Sequence, residues 1–171
     1  MLGAGEDSSA VRIARVRYLL ERGRVLNTSK QGDRGRSQFL AAWDAARASG
    51  ADGFAVDAAH MMGIIEPPDE ALRWNEQAIA HAEQSKNERA RNWLGSLYNN
   101  TGWTYHDKGE YAKALVIFEK ALAWREEKKQ APEIRIAKWS VARALRSLGR
   151  AEEALARQRA LLAEFDSIGE A

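Results

Sequence analysis

The sequence of 171 residues suffices for one ordinary domain or one short repeat array, and its 45% apolar and 29% charged residues are typical of a soluble globular protein. A formal net charge of +2 and the lack of a recognisable nucleic-acid-binding motif argue against a nucleic-acid partner. The chain has no cysteine, which excludes disulfides, thiolate chemistry and cysteine-based zinc sites. No segment approaches the run of about 18 apolar residues that a membrane span needs, so no membrane partner is predicted.

The first residues, 1–8, have neither a basic start nor a long apolar run, so they do not resemble a secretory signal. We predict that residues 1–8 form a disordered leader and that residues 9–171 form a single array. The absence of cysteine fits a reducing compartment. We therefore predict a cytoplasmic location, and the composition favours a bacterial protein.

Eight helices are predicted from the spacing of apolar residues and from the turn residues between them. The turn signals are the glycine-rich link at residues 30–35, a proline pair at 67–68 that suits a helix start, and glycines at 109 and 149. The predicted helices span about 9–29, 33–49, 52–65, 68–84, 87–107, 110–127, 131–147 and 151–167. Short turns pair them as antiparallel hairpins, giving four repeats at about 9–49, 52–84, 87–127 and 131–167.

The third hairpin carries the clearest pattern. Its aromatic, small and turn positions are Tyr98, Gly102, Tyr105, Gly109, Tyr111, Ala114, Phe118 and Ala121. In order and spacing these residues resemble a tetratricopeptide repeat. The resemblance implies an all-α fold, an α-solenoid of helix pairs wound into a right-handed superhelix. Because Gly102 and Ala114 are small, we expect the two helix backbones to approach closely there, with the Phe118 ring beside them.

The other hairpins repeat the same offsets. Their small anchor residues are Gly23, Ala59, Gly102 and Ala142, which lie 36, 43 and 40 residues apart. The plain family period is about 34, so we expect longer helices here. Three positions depart from the family pattern: Lys138 replaces a large apolar residue, and Asn75 and Gln158 replace the aromatic residue found at Phe118.

Members of this family bind extended peptides on the concave face formed by the first helix of each repeat, so the resemblance implies a set of groove residues. By position in this sequence, the candidates are Arg24, Asp57, His60, Asn99, Asn100, Trp103, His106, Trp139, Arg143 and Arg146. The asparagines can hydrogen-bond a peptide backbone, the tryptophans offer flat apolar surface, and the arginines can pair with acidic groups.

The same side chains have ordinary structural roles as an alternative. Tryptophans at helical spacing commonly pack between helices, and arginines on a helix commonly form a solvated face. Asn100 stands where co-chaperone members of the family have a clamp asparagine. Ile136 and Ser140 stand where those members have a lysine and an arginine, so a clamp for a terminal carboxylate is not expected.

Metal and catalytic sites are not predicted. Asp57 and His60 are three residues apart on one predicted helix face, and His106 precedes Asp107 on a later helix. Such groups can bind a divalent metal, but no dedicated ligand motif, phosphate-binding loop or nucleophile elbow accompanies them. We therefore predict no metal, no cofactor and no enzymatic activity.

The predicted function is a non-catalytic scaffold or adaptor that binds a peptide or protein segment in the concave groove. One alternative is a regulatory sensor of a small peptide or metabolite. A second is a self-assembling oligomer, because the last predicted helix presents Leu161, Leu162 and Phe165 with no polar capping helix after it. Such an end indicates either a piece of a longer array or a face that another copy covers. The partner of the module is not encoded in the pattern.

Overall fold

The computed structural model describes residues 8–169, and all of its regular structure in that range is α-helical. The helices are α1 (Ser9–Thr28), α2 (Gly32–Ala48), α3 (Asp52–Ile65), α4 (Pro68–Gln84), α5 (Glu88–Arg91), α6 (Leu94–Asp107), α7 (Tyr111–Glu127), α8 (Ala131–Ser147) and α9 (Ala151–Ile168). The predicted fold class, an all-α helical repeat of the solenoid class, is confirmed. Of the predicted leader only Ser8 is described, and its hydroxyl caps α1 by accepting the Val11 N–H at 3.3 Å. The rest of the leader lies outside the described residues.

The described residues divide into two compact units, one ending at Trp93 and the other beginning at Leu94. In the first unit, α1 packs on α2, α2 on α3, and α3 on α4, while the short α5 rests on α3 and α4. In the second unit, α6 packs on α7, α7 on α8, and α8 on α9. Each unit therefore contains two long helix hairpins, and the second helix of one hairpin packs on the first helix of the next.

Left-handed residues end several of the helices. Gly109 has φ of +76° and Gly149 has φ of +77°, as the sequence predicts for turn glycines. After α6, the Gly109 N–H donates to the carbonyl of His106 at 3.0 Å, and the Glu110 N–H donates to that of Tyr105 at 2.9 Å. These bonds satisfy carbonyls that the helix end would leave open, so the chain reverses within three residues.

A small residue facing an aromatic ring sets the separation of the two helices in a hairpin. A Cβ atom added at Gly102 would lie 2.5 Å from Cδ1 and Cε1 of Phe118. The first hairpin repeats this contact, since a Cβ at Gly23 would lie 2.5 Å from Cε1 of Phe39. Both rings are fully buried. The close approach expected at Gly102 is therefore present in both units.

One predicted helix is interrupted. The segment 87–107 forms α5 and α6, separated at Asn92 and Trp93, rather than a single helix. Asn87 caps α5 by accepting the Arg89 N–H at 2.9 Å. At the interruption the Trp93 ring packs on His60 of α3, with centroids 5.0 Å apart. The apolar period of the segment does not encode this contact, so the sequence predicts a continuous helix where the structure has two.

The departures from the family pattern are accommodated by polar contacts and close packing. Lys138 extends from α8 to α9, where its Nζ lies 2.6 Å from Oε2 of Glu164. Asn75 is buried in α4 and lies close to Gly63 of α3. A Cβ atom added at Gly63 would collide with the side-chain amide of Asn75. The helix pairing is therefore retained although a large apolar residue is missing at position 138 and an aromatic residue at position 75.

Candidate functional site

In the first unit, Arg24 of α1 and Asp57 of α3 are paired with each other. Arg24 Nη2 donates to Oδ1 of Asp57 at 2.6 Å and to Oδ2 at 2.8 Å. Its other terminal nitrogen donates to Glu21 at 2.7 Å. Although burial lowers the pKa of Arg24, its hydrogen bond to Asp57 and the nearby carboxylate charges raise that pKa above the ordinary value. The charges of two predicted groove residues are thus matched within the fold.

His60, the third groove candidate of this unit, is half-buried beside that ion pair and against Trp93. Burial disfavours the imidazolium and lowers the pKa of His60 below its ordinary value. The negative charge of Asp57 opposes this shift, and the positive charge of Arg24 adds to it. The neutral imidazole is therefore the form that packs on the indole.

As the pH is lowered, we expect the free energy of unfolding to decrease more steeply in the wild type than in a His60→Gln variant. The unfolded chain protonates His60 near its ordinary pKa of about 6.5, whereas the folded chain does so only at lower pH. The contribution is complete above the unfolded pKa and is lost as the pH falls from there through the lowered folded pKa. Urea denaturation of both proteins between about pH 7.5 and pH 5 measures this, and equal slopes would contradict the shift.

A serine, an aspartate and a histidine also meet in this unit, where the end of α4 approaches the start of α3. Asp52 at the start of α3 accepts the Ser85 hydroxyl and lies 3.2 Å from Nε2 of His81. The carboxylate sits between the other two, so the imidazole of His81 does not contact the serine hydroxyl as it would in a catalytic triad. The Ser85 oxygen also accepts the Asn87 N–H at 3.0 Å. The cluster therefore links the end of α4 to the start of α3. Because Asp52 and His81 are 29 residues apart, no sequence pattern predicts it.

In the second unit, Trp103 of α6 is the centre of an aromatic cluster. Its ring centroid lies 5.1 Å from that of Phe118, 5.2 Å from that of His106 and 5.5 Å from that of Trp139. Trp103 is half-buried, whereas Trp139 of α8 is 44% exposed. The structure thus brings three predicted groove residues together, and it gives Trp103 a packing role and Trp139 a surface role.

His106 joins α6 to α8. Its Nε2 lies 2.9 Å from the Ser147 hydroxyl, and its ring packs on Tyr111 with centroids 5.0 Å apart. The Oδ1 atom of Asp107 is 3.9 Å from Nδ1 of His106, beyond hydrogen-bond distance, and that carboxylate is exposed. Because the carboxylate does not orient the imidazole, the arrangement is a helix-to-helix hydrogen bond rather than a nucleophile and its base.

The two predicted peptide-binding asparagines are neighbours on α6. Asn99 is half-buried, and its Nδ2 donates to Oδ1 of Asn100 at 3.4 Å, while Asn100 is exposed. The long distance makes this a weak bond, so the amides retain donors and acceptors for another molecule.

Two pockets of about 500 Å³ each flank Trp139. We call the first the apolar pocket; it is lined by Pro132, Arg135, Ile136, Trp139, Leu161 and Phe165. We call the second the arginine pocket; it is lined by Trp139, Ala142, Arg143, Arg146, Ala151, Ala154, Leu155 and Gln158. Four groove candidates of the second unit therefore lie at or beside α8: Trp103 beneath it, and Trp139, Arg143 and Arg146 on it. Leu155 and Gln158 also line the arginine pocket, although neither is among the groove residues predicted from the sequence. The polar side chain of Gln158 at the aromatic position of the pattern is a sequence signal for this pocket.

Stacked helix hairpins, with a small residue against an aromatic ring in each unit, define a helical-repeat protein. Residues 59–127 match the sequence model of the tetratricopeptide repeat, so this part of the chain is similar to that family, as the third hairpin predicts. Repeats of this family generally mediate protein–protein interactions and are typically non-catalytic. A comparison with curated proteins finds no match. Within residues 8–169, none of the helices has the length and apolarity to cross a bilayer, and no three histidine or acidic side chains form a metal-binding group.

Proposed function

We propose that the protein is a non-catalytic interaction module that binds a segment of another protein on the surface around Trp139. The observation that carries this proposal is the indole of Trp139, which is 44% exposed, rests on Trp103 and lies between two pockets. An aromatic side chain that is supported from below and flanked by cavities is typical of a binding hot spot.

The surrounding side chains suit this role. Ile136 is 56% exposed and extends the apolar surface along α8. Arg143 and Arg146 supply positive charge on the other side of Trp139. Asn99 and Asn100 offer amide groups from α6 to a peptide backbone. In the first unit, by contrast, Arg24 and Asp57 neutralise each other, so the proposal rests on the second unit.

The test is a Trp139→Ala variant in a pull-down from native cell extract with quantitative mass spectrometry. We expect it to lose a bound protein that the wild type retains, with about 30-fold weaker affinity in a follow-up titration of that protein, as for a hot spot of about 2 kcal/mol. Val116→Ala is the matched control, because Val116 is 55% exposed on α7 and lines neither pocket. Equal retention by Trp139→Ala and the wild type would overturn the proposal. A Trp103→Ala variant is unsuitable, since it would also remove the packing on Phe118.

Self-association is the second candidate function, favoured by the apolar residues on the surface of α9. Leu155 is 44% exposed, Leu162 is 59% exposed and Ile168 is 47% exposed. Leu161 is buried and Phe165 half-buried, so Leu162 is the appropriate residue to change. Sedimentation velocity of the chain alone separates the two functions: a concentration-dependent dimer that Leu162→Lys abolishes supports self-association, and a monomer at all concentrations leaves the adaptor role.

A further inference from the structure

The arginine pocket contains a buried donor without an acceptor. The Nε atom of Arg143 is buried and has no hydrogen-bond partner in residues 8–169. Within the same range, neither Arg143 nor Arg146 makes an ion pair, and the residues that line the pocket include no carboxylate. A buried N–H of a guanidinium that lacks an acceptor is destabilising. The positive charge of the pocket is thus uncompensated among the described residues.

Arg24 is a half-buried arginine whose charge is paired within the fold. Its guanidinium is held by Asp57 at 2.6 Å and by Glu21 at 2.7 Å. Arg143 is also half-buried but receives no such partner within the described part of the chain. Arg143 thus differs from Arg24 in having no acidic partner of its own among residues 8–169.

Within the second unit, the α6–α7 hairpin shows which kind of element packs on this face of a hairpin. A shift of 40 residues places α8 and α9 on α6 and α7, so that Arg143 corresponds to Trp103 and Arg146 to His106. In the α6–α7 hairpin this face is covered by a helix, α8, through the contact of Trp139 with Trp103 and the hydrogen bond of Ser147 to His106. The equivalent face of the α8–α9 hairpin is therefore shaped to receive a helix.

The chemistry of the face differs between the two hairpins. Where α6 and α7 present the rings of Trp103 and Phe118, α8 and α9 present Arg143 and Gln158. An incoming helix thus meets a guanidinium instead of an indole, and a carboxylate is the group that pairs best with it. The apolar pocket on the other side of Trp139 adds a place for an apolar side chain.

We propose that the arginine pocket receives a glutamate or aspartate side chain from a helical segment of the partner, while an apolar side chain of the same segment enters the apolar pocket. This inference rests on the proposed function and specifies the partner. The carboxylate accepts from the terminal nitrogens of Arg143 and Arg146. The helix lies across the α8–α9 face as α8 lies across the α6–α7 face.

The test begins with a phage-displayed library of helix-forming peptides of about 18 residues, long enough to hold a helix when bound. The library is selected against the full chain and, in parallel, against an Arg143→Met variant. We expect peptides enriched on the wild type to share one acidic residue near a leucine or phenylalanine, and this preference to vanish on Arg143→Met. Enriched peptides without an acidic residue, or with the same acidic residue on both proteins, would overturn the inference.

A selected peptide is then titrated in a double-mutant cycle. Changing its acidic residue to the amide and changing Arg143→Met are each expected to weaken binding at least tenfold, and the two changes together are expected to cost little more than either alone. Arg159→Met is the matched control on α9 outside both pockets and is expected to bind as the wild type does. Losses of affinity that multiply when the two changes are combined would refute the contact. Tighter binding of the same peptide with phosphoserine at the acidic position would assign the pocket to phosphate instead.

Stability measurements separate this role from a structural one. Arg143→Met removes a donor that lacks an acceptor, so its urea midpoint is expected to equal or exceed that of the wild type. Arg24→Met leaves Asp57 unpaired, so its midpoint is expected to fall. A lower midpoint for Arg143→Met would show that Arg143 serves the fold. If Trp139→Ala loses the captured partner but Arg143→Met does not, the inference fails and the proposed function stands; if neither variant loses it, both fail.

Discussion

Phe118→Ala is expected to reduce the free energy of unfolding by about 3–5 kcal/mol, the usual range for removing a fully buried phenylalanine ring. The ring is 0% exposed in α7, lies against the backbone of α6 at Gly102, and packs edge-on to Trp103 at 5.1 Å. Its removal therefore leaves a cavity bounded by two helices of one hairpin. Urea denaturation followed by circular dichroism and by tryptophan emission measures the loss.

Val116→Ala provides the control for this experiment on the same helix. Its side chain is 55% exposed, so the change is expected to stay within about 0.5 kcal/mol of the wild type. Phe39→Ala is the corresponding test in the first unit, because Phe39 is also 0% exposed and faces Gly23. A loss below about 1 kcal/mol for Phe118→Ala would mean that the hairpin core can collapse around the missing ring.

The helices and their pairing are predictable from this sequence because both follow from local rules. The repeating apolar positions fix which face of each helix is buried, and glycine at 109 and 149 fixes where the chain turns. The distance of 16 residues from Gly102 to Phe118 recurs from Gly23 to Phe39, so one hairpin predicts the packing of another. These contacts are set by spacing along the chain and need no knowledge of distant segments.

The contacts that define the site depend on partners far apart in sequence. The pairing of Arg24 with Asp57 spans 33 residues, and no spacing rule distinguishes it from two solvent-exposed charges. The interruption between α5 and α6 likewise coincides with the contact of Trp93 with His60, which is distant in sequence. The unsatisfied nitrogen of Arg143 is the extreme case, since it is defined by an acceptor that the fold does not supply. Sequence reasoning therefore locates candidate residues, while the structure decides which of them are already satisfied.

Gly102→Ala is expected to lower the free energy of unfolding by about 1–3 kcal/mol, although alanine is the better helix former by about 1 kcal/mol. The added methyl group would lie 2.5 Å from two carbons of the Phe118 ring, and that ring is fully buried among its neighbours. Steric conflict thus outweighs propensity. Gly32→Ala is the control, because a Cβ at Gly32 meets nothing within 4 Å, and a gain of about 0.5 kcal/mol is expected there.

The cause of the Gly102→Ala loss can be tested by combining it with Phe118→Leu. Leucine lacks the ring carbons that the methyl group would contact. The loss of stability in the double variant is therefore expected to be smaller than the sum of the two single losses by at least about 0.5 kcal/mol. Additive losses would instead locate the conflict in the helix backbone, and the same cycle at Gly23 and Phe39 would then be additive as well. A favourable coupling at both pairs would establish that one small residue and one ring set the helix separation in each unit.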